Sequence, residues 1–235
     1  MSVNKINFLG KRLLFVVAHP DDESFMASGL ADRNRRAGGQ NCMVCATLGE
    51  KGKSHLKQKV TAAQLKEIRR AELMKVAKVM KIDHLDFLRL PDGGLFGREE
   101  VLAAKIAKLV SKRCPDFVFS FDRDGVSGHL DHITIGAVTK QIAKKLNIKF
   151  VSFCLPPALV RNFEKSMMLN RKHGKYLLKA LHHAKPNAIV KINPKVKLAA
   201  LRCHRSQLDY GDPRRHVWIA KSAGQGLNYE YFKVY

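Results

Sequence analysis

The sequence predicts an α/β chain: a Rossmann-like, doubly wound, mainly parallel sheet flanked by helices, with a C-terminal elaboration. Three observations carry this expectation. Short apolar runs alternate five times with segments of helical period, and no tandem hairpin signal interrupts them. At 235 residues and 46% apolar composition, the chain suits one large domain with a full core. The first apolar run also ends directly in a polar cluster, and open α/β sheets hold ligands outside the carboxyl ends of their strands.

Residues 11–18 (KRLLFVVA) read as a strand buried on both faces. A helix follows over 23–36, stopped by Gly38-Gly39, then a strand over 41–48 and a Gly/Lys-rich loop over 49–53. Leu65, Ile68, Leu73, Val76 and Met80 give residues 61–81 a helical period. Residues 84–88 form a third strand, and Pro91-Asp92-Gly93-Gly94 the turn after it. A helix over 98–113, a strand over 117–121, a helix over 131–146 and a strand over 150–155 complete a core of about 11–155. Beyond Pro156-Pro157 lie a basic helix-prone stretch (158–184), a strand (188–192), a helix (194–207) and an aromatic strand-like run (229–235). The whole, 1–235, reads as a single domain.

Composition narrows the function. No stretch approaches the ~20 apolar residues that cross a bilayer, and residues 1–11 lack a signal-peptide pattern, so cytoplasmic is the default reading. Five cysteines, odd in number and mostly inside apolar runs, argue for reduced thiols. Cys42 and Cys45 form a C-x-x-C, but within a strand, where residues three apart face opposite ways. The net charge of +23 points to anionic partners. Its lysines are nonetheless spread at helical spacing without a basic run or a nucleic-acid-binding motif, so nucleic acid is not the expected partner.

The first strand ends in Ala18-His19-Pro20-Asp21-Asp22-Glu23. One Asp suffices to cap a helix; an imidazole beside Pro and further carboxylates exceed that need. The strand at 117–121 leads to His129-Leu130-Asp131-His132 at a helix start. Two histidines three apart in a first turn can project toward one site, and the two strands are neighbours in the common order. Zinc hydrolases use three protein ligands, commonly two His and a carboxylate, with a position left for water. His19, His132 and one Asp of the first cluster meet that demand, leaving the second Asp as general base.

The segment AHPDDE after a first strand, followed later by HLDH, resembles the LmbE-like (PIG-L) family of zinc-dependent deacetylases. Thr47-Leu48-Gly49-Glu50 with Gly52, Arg69-Arg70-Ala71-Glu72, Pro91-Asp92-Gly93-Gly94 and His204-Arg205-Ser206-Gln207 agree in order and spacing. The resemblance implies removal of an acetyl group from an N-acetylglucosamine-type conjugate. It implies Zn2+, one ion per chain, on His19, Asp22 and His132, with another divalent ion able to substitute. Asp21 would be the general base, and His129 the acid or the oxyanion's partner. Asp131 would orient a neighbouring imidazole, and Arg69 and Asp92 would contact substrate. The implied partner is a small N-acetylated sugar, with anionic or lipid-linked forms open, and a homo-oligomer is open too. Two alternatives remain: a polyanion or nucleic-acid binder on a retained hydrolase scaffold, and the same deacetylase acting on a membrane lipid-linked substrate.

One departure stands out. Some members carry a tyrosine two residues before the first His of H-x-D-H, where this chain has Ser127. Glu23 reads as a first-turn carboxylate or a partner behind the ligands. His204, spaced with Leu201 and Leu208, reads equally as a packing residue or a site residue.

Overall fold

The apolar runs become strands because their side chains have somewhere to go on both faces. In β1 (Arg12–Val17) every residue after Arg12 is buried, and β4 (Phe117–Phe121) is buried throughout. The computed structural model describes residues 7–156, Leu159, 185–208 and 225–235. Apart from Leu159, the basic stretch 158–184 lies outside the described residues.

β1 pairs in parallel with β2 (Gln40–Cys45) on one side and with β4 on the other. β3 (His84–Phe87) adds in parallel to β2, and β5 (Lys149–Cys154) to β4. β6 (Ala188–Lys191) and β7 (Tyr229–Val234) continue the sheet antiparallel, giving the order β3-β2-β1-β4-β5-β7-β6. The doubly wound expectation is met, and the C-terminal elaboration lengthens the same sheet. Chain order reverses between β1 and β4, so the ends of these two strands open onto the switch-point crevice.

The expected helix over 23–36 is two helices, α1 (Asp22–Met26) and α2 (Ser28–Arg36), broken at Ala27 with φ −144°. The cause is tertiary. The Glu230 carboxylate accepts the N–H groups of Gly29 at 2.9 Å and Leu30 at 2.8 Å, capping a fresh helix start. A Cβ on Gly29 would lie 2.3 Å from Cβ of Ile192, so only glycine allows this approach. Helix α3 (Ala62–Val79) begins with a reciprocal capping box between Thr61 and Gln64. Helices α4 (Glu99–Arg113) and α5 (Leu130–Lys145) follow the predicted bounds closely. A Cβ on Gly136 of α5 would lie 2.3 Å from the Phe121 carbonyl oxygen; without one, α5 lies directly against the end of β4. Helix α6 (Pro194–Cys203) ends before the predicted 207, and α7 (Gln225–Asn228) is a short turn before β7.

Glu230 also meets Lys197 of α6 at 3.4 Å, both buried. Glu230→Ala is expected to destabilise the fold by about 3–5 kcal/mol, because it strands a buried ammonium and uncaps α2 together. Urea unfolding of the single variant and of Glu230→Ala/Lys197→Met checks this; the double variant should recover part of the loss.

Nine acidic side chains are buried, against Arg69 and Lys197 alone among the described basic ones, so the described surface is more one-sidedly cationic than the net charge. No helix among the described residues is long and apolar enough to cross a membrane. All five cysteines are free thiols, with Cys42 and Cys45 buried in β2.

Candidate active site

β1 delivers His19 and the carboxylates after it; β4 and the start of α5 deliver His129, Asp131 and His132. The Asp22 side chain folds back on the strand end, where Oδ2 accepts the N–H of Ala18 at 3.1 Å and of His19 at 2.8 Å. Its Oδ1 faces His132 Nε2 at 3.2 Å. His19 Nδ1 stands 3.1 Å from that same His132 Nε2 and 3.8 Å from Asp22 Oδ2.

The far nitrogen of each ring settles what the near one presents. His19 Nε2 donates toward Asp131 Oδ2 and Asp92 Oδ1, each at 3.1 Å. His132 Nδ1 donates to the Gly125 carbonyl at 3.0 Å, with the Ser127 hydroxyl at 3.3 Å. The near nitrogens of His19 and His132 are thereby left to share one positive centre, a proton or a metal cation, beside a carboxylate oxygen. Donors about 2.0–2.1 Å from a tetrahedral zinc lie about 3.3 Å apart, which the His19–His132 and His132–Asp22 Oδ1 spacings match, while His19 Nδ1 is 3.8 Å from the other Asp22 oxygen. Among the described residues the donor groups lying mutually within 4.8 Å are His19, His129 and His132, and His19, Asp92 and Asp131. The donor set, two nitrogens and one oxygen with imidazoles oriented by carboxylate and carbonyl, also fits. The neighbouring carboxylates, against the opposing effect of burial, push His19 up to about 10, which expresses the same demand for positive charge.

Asp131 is pinned from its other side by the N–H groups of Gly93 at 2.7 Å and Leu95 at 3.0 Å, fastening the turn after β3 to α5. The imidazole it meets is that of His19. Asp92 is buried, with Oδ1 at His19 and Oδ2 accepting the Lys51 N–H at 2.8 Å. Its carboxylate thereby supports the His19 ring. Arg69 is likewise buried, donating to the carbonyls of Gly49 and Pro20 and to Asp21 Oδ2 at 3.2 Å. These contacts give Arg69 a grip on the loop that carries Asp21. Gly49, at φ +69°, and Gly52 leave room for that guanidinium, since a Cβ on either would strike its Nη1.

Asp21 has φ +130°, a region that L residues rarely adopt, and its carboxylate meets Arg69 whereas that of Asp22 meets His132. Burial raises its pKa to about 6, against the opposing pull of Arg69. His129 caps α5: its Nδ1 accepts the Asp131 N–H at 3.1 Å, which leaves Nε2 as the protonated nitrogen. One of its ring nitrogens lies within 4.8 Å of donor atoms of both His19 and His132. Burial and the two neighbouring imidazoles push its pKa down to about 4. The Ser127 hydroxyl lies against the His132 ring and the His129 N–H, so it does not replace the family tyrosine.

Sequence reasoning read Glu23 and His204 separately and did not join them. Glu23 Oε1 and His204 Nε2 are 2.7 Å apart and both groups are buried. The nearest signal was the HRSQ segment itself, whose Ser206 also donates to Glu72 of α3 through N–H and hydroxyl.

A cation-demanding His/Asp cluster at the strand ends of the switch point of an open α/β sheet defines a hydrolase-type enzyme site. The chain matches the family described as PIG-L: GlcNAc-PI de-N-acetylase over residues 14–143, and it belongs to that family. It is 30% identical over 203 residues to a probable N-acetyl-alpha-D-glucosaminyl L-malate deacetylase 2 of Bacillus subtilis, covering 85% of this chain and 84% of that one. A 1D-myo-inositol 2-acetamido-2-deoxy-alpha-D-glucopyranoside deacetylase of Thermomonospora curvata is 29% identical over 151 residues, covering 55% of this chain and 51% of the relative. This chain thus matches about half the length of that relative. Among solved structures, N,N'-diacetylchitobiose deacetylase of Pyrococcus horikoshii superposes with TM-score 0.69 at 22% identity, over 96% of this chain and 84% of that one.

Proposed function

We propose that this chain hydrolyses the N-acetyl group of a small N-acetylglucosamine-type conjugate, using one divalent cation, zinc by donor type, on His19, Asp22 and His132. The observation that carries the reading is His19 Nδ1 and His132 Nε2 3.1 Å apart beside Asp22 Oδ1, with the Asp21 carboxylate held separately on Arg69. When bound, such a cation supplies Lewis acidity at an amide carbonyl and acidifies water.

The chain's own residues do the rest. Asp21, steadied by Arg69, takes the proton of the attacking water and passes it to the nitrogen as the C–N bond breaks, yielding acetate and a free amine. His129, with its proton fixed on Nε2, donates a hydrogen bond to the oxygen on which negative charge develops. Asp131 and Asp92 hold the His19 ring in its tautomer.

The cationic surface favours an anionic conjugate, so the test panel pairs N-acetylglucosaminyl malate with the inositol conjugate and with neutral N,N'-diacetylchitobiose. Metal-loaded protein is expected to release acetate and amine in equal amounts from at least one of the three. Chelator-stripped protein should release none until zinc returns. Absence of acetate from all three with loaded protein overturns the assignment.

A further inference from the structure

Asp21 is held in an unfavourable backbone conformation, and the groups that hold it come from far along the chain. Its N–H donates to Glu23 Oε2 at 3.0 Å, a bond that reaches only two residues forward and is compatible with the φ of +130°. Nothing local fixes Glu23 in turn, apart from the Ser24 hydroxyl, which donates to Oε1 at 2.6 Å. The long-range partner is His204, whose Nε2 lies 2.7 Å from Oε1. His204 sits just past α6, at φ −85° and ψ 57°, where the chain leaves the helix. The next residues are locked as well: the Ser206 carbonyl accepts the His55 N–H at 2.8 Å, and Ser206 binds Glu72. Glu72 lies on the same helix as Arg69, so Asp21 is braced from its amide through Glu23 and from its carboxylate through α3.

We infer that Glu23 and His204 form a positioning pair for Asp21: the C-terminal segment holds the base in its strained orientation, without touching substrate or cation. Three observations support this. Both side chains are essentially inaccessible, at 0% and 1% exposure, so neither meets substrate. The carboxylate has no role among the facing imidazoles, whose partners are Asp22, Asp92 and Asp131. A strained φ persists only where surrounding contacts over-determine it, and among the described residues Glu23 is the one that accepts the Asp21 N–H. A histidine that served packing alone would not need to place a ring nitrogen on a buried carboxylate.

The inference rests on Asp21 being the proton-transfer group, so its test includes a readout that needs no reaction. His204→Leu removes the donor at similar volume, whereas His204→Gln keeps an amide N–H within reach of Glu23. Glu23→Gln replaces one of the acceptor oxygens with a donor. Hydrogen exchange at the Asp21 amide, measured on the full chain without substrate, is expected to speed up at least tenfold in His204→Leu and Glu23→Gln. In His204→Gln it should stay near wild type. On the substrate that releases acetate, His204→Leu should lower kcat about 10–100-fold with KM and metal content unchanged, and His204→Gln should restore most of it. A wild-type exchange rate at Asp21 in His204→Leu overturns the inference, as does an equal kcat loss in Leu and Gln variants normalised to folded, metal-loaded protein. If no substrate is turned over, the exchange measurement still decides the pairing, and only the deacetylase reading fails.

Discussion

His19→Ala is expected to lose the bound cation altogether, while wild-type protein is expected to carry about one zinc per chain. The imidazole is held between two demands. Its Nδ1 faces His132 and Asp22, and its Nε2 faces Asp131 and Asp92. Deleting the ring removes a donor and also leaves Asp92 and Asp131 without the group that balances their charge. Asp131→Ala acts more gently: it frees the ring to rotate or change tautomer, and should weaken metal affinity about 10–100-fold without abolishing it. Elemental analysis after dialysis separates the two variants. Thermal unfolding gives an independent readout, since an ion that binds only the folded state raises Tm with its concentration. Zinc should therefore raise the Tm of stripped wild type and leave that of His19→Ala unmoved. Stoichiometric zinc retained by His19→Ala would place the ion elsewhere.

What the sequence revealed, and what it hid, follows from the range of the interactions. The parallel strands were legible because each is buried on both faces and reads as a continuous apolar run, as in Leu13–Val17. The meeting of the two polar clusters followed from strand order alone, since β1 and β4 are neighbours. The break at Ala27 was not legible, because its cause is a carboxylate about two hundred residues away, at Glu230. The strands at 188–192 and 229–235 could be seen, but not that they add antiparallel to β5. His204 is spaced for packing and has its partner 181 residues earlier, so no local pattern could favour either of its readings. The protein contacts of Arg69 and Asp92 were not legible either, because which way a side chain turns from its helix or turn is fixed by tertiary contacts, here to Pro20, Gly49, His19 and Lys51.

Asp21→Asn is expected to keep the cation and lower kcat by about two to four orders of magnitude. The substitution changes one property at a time as nearly as a side chain allows. Asparagine matches the carboxylate in shape, and its carbonyl oxygen can still accept from Arg69, which also retains its bonds to Pro20 and Gly49. The backbone bond to Glu23 involves only the amide and survives. What disappears is the capacity to take a proton from water and return it to the departing amine. Metal content should stay at about one per chain because the proposed ligating atoms belong to His19, Asp22 and His132. The adjacent carboxylate provides the control. Asp22 Oδ1 faces His132, and Asp22 Oδ2 holds the strand end, so Asp22→Asn should lose metal and activity together. If Asp21→Asn sheds the metal while Asp22→Asn keeps it, the two carboxylates have been assigned in the wrong order. If Asp21→Asn keeps both metal and near-wild-type turnover, the proton moves through another group, and His129, the remaining imidazole at the crevice, becomes the residue to replace next.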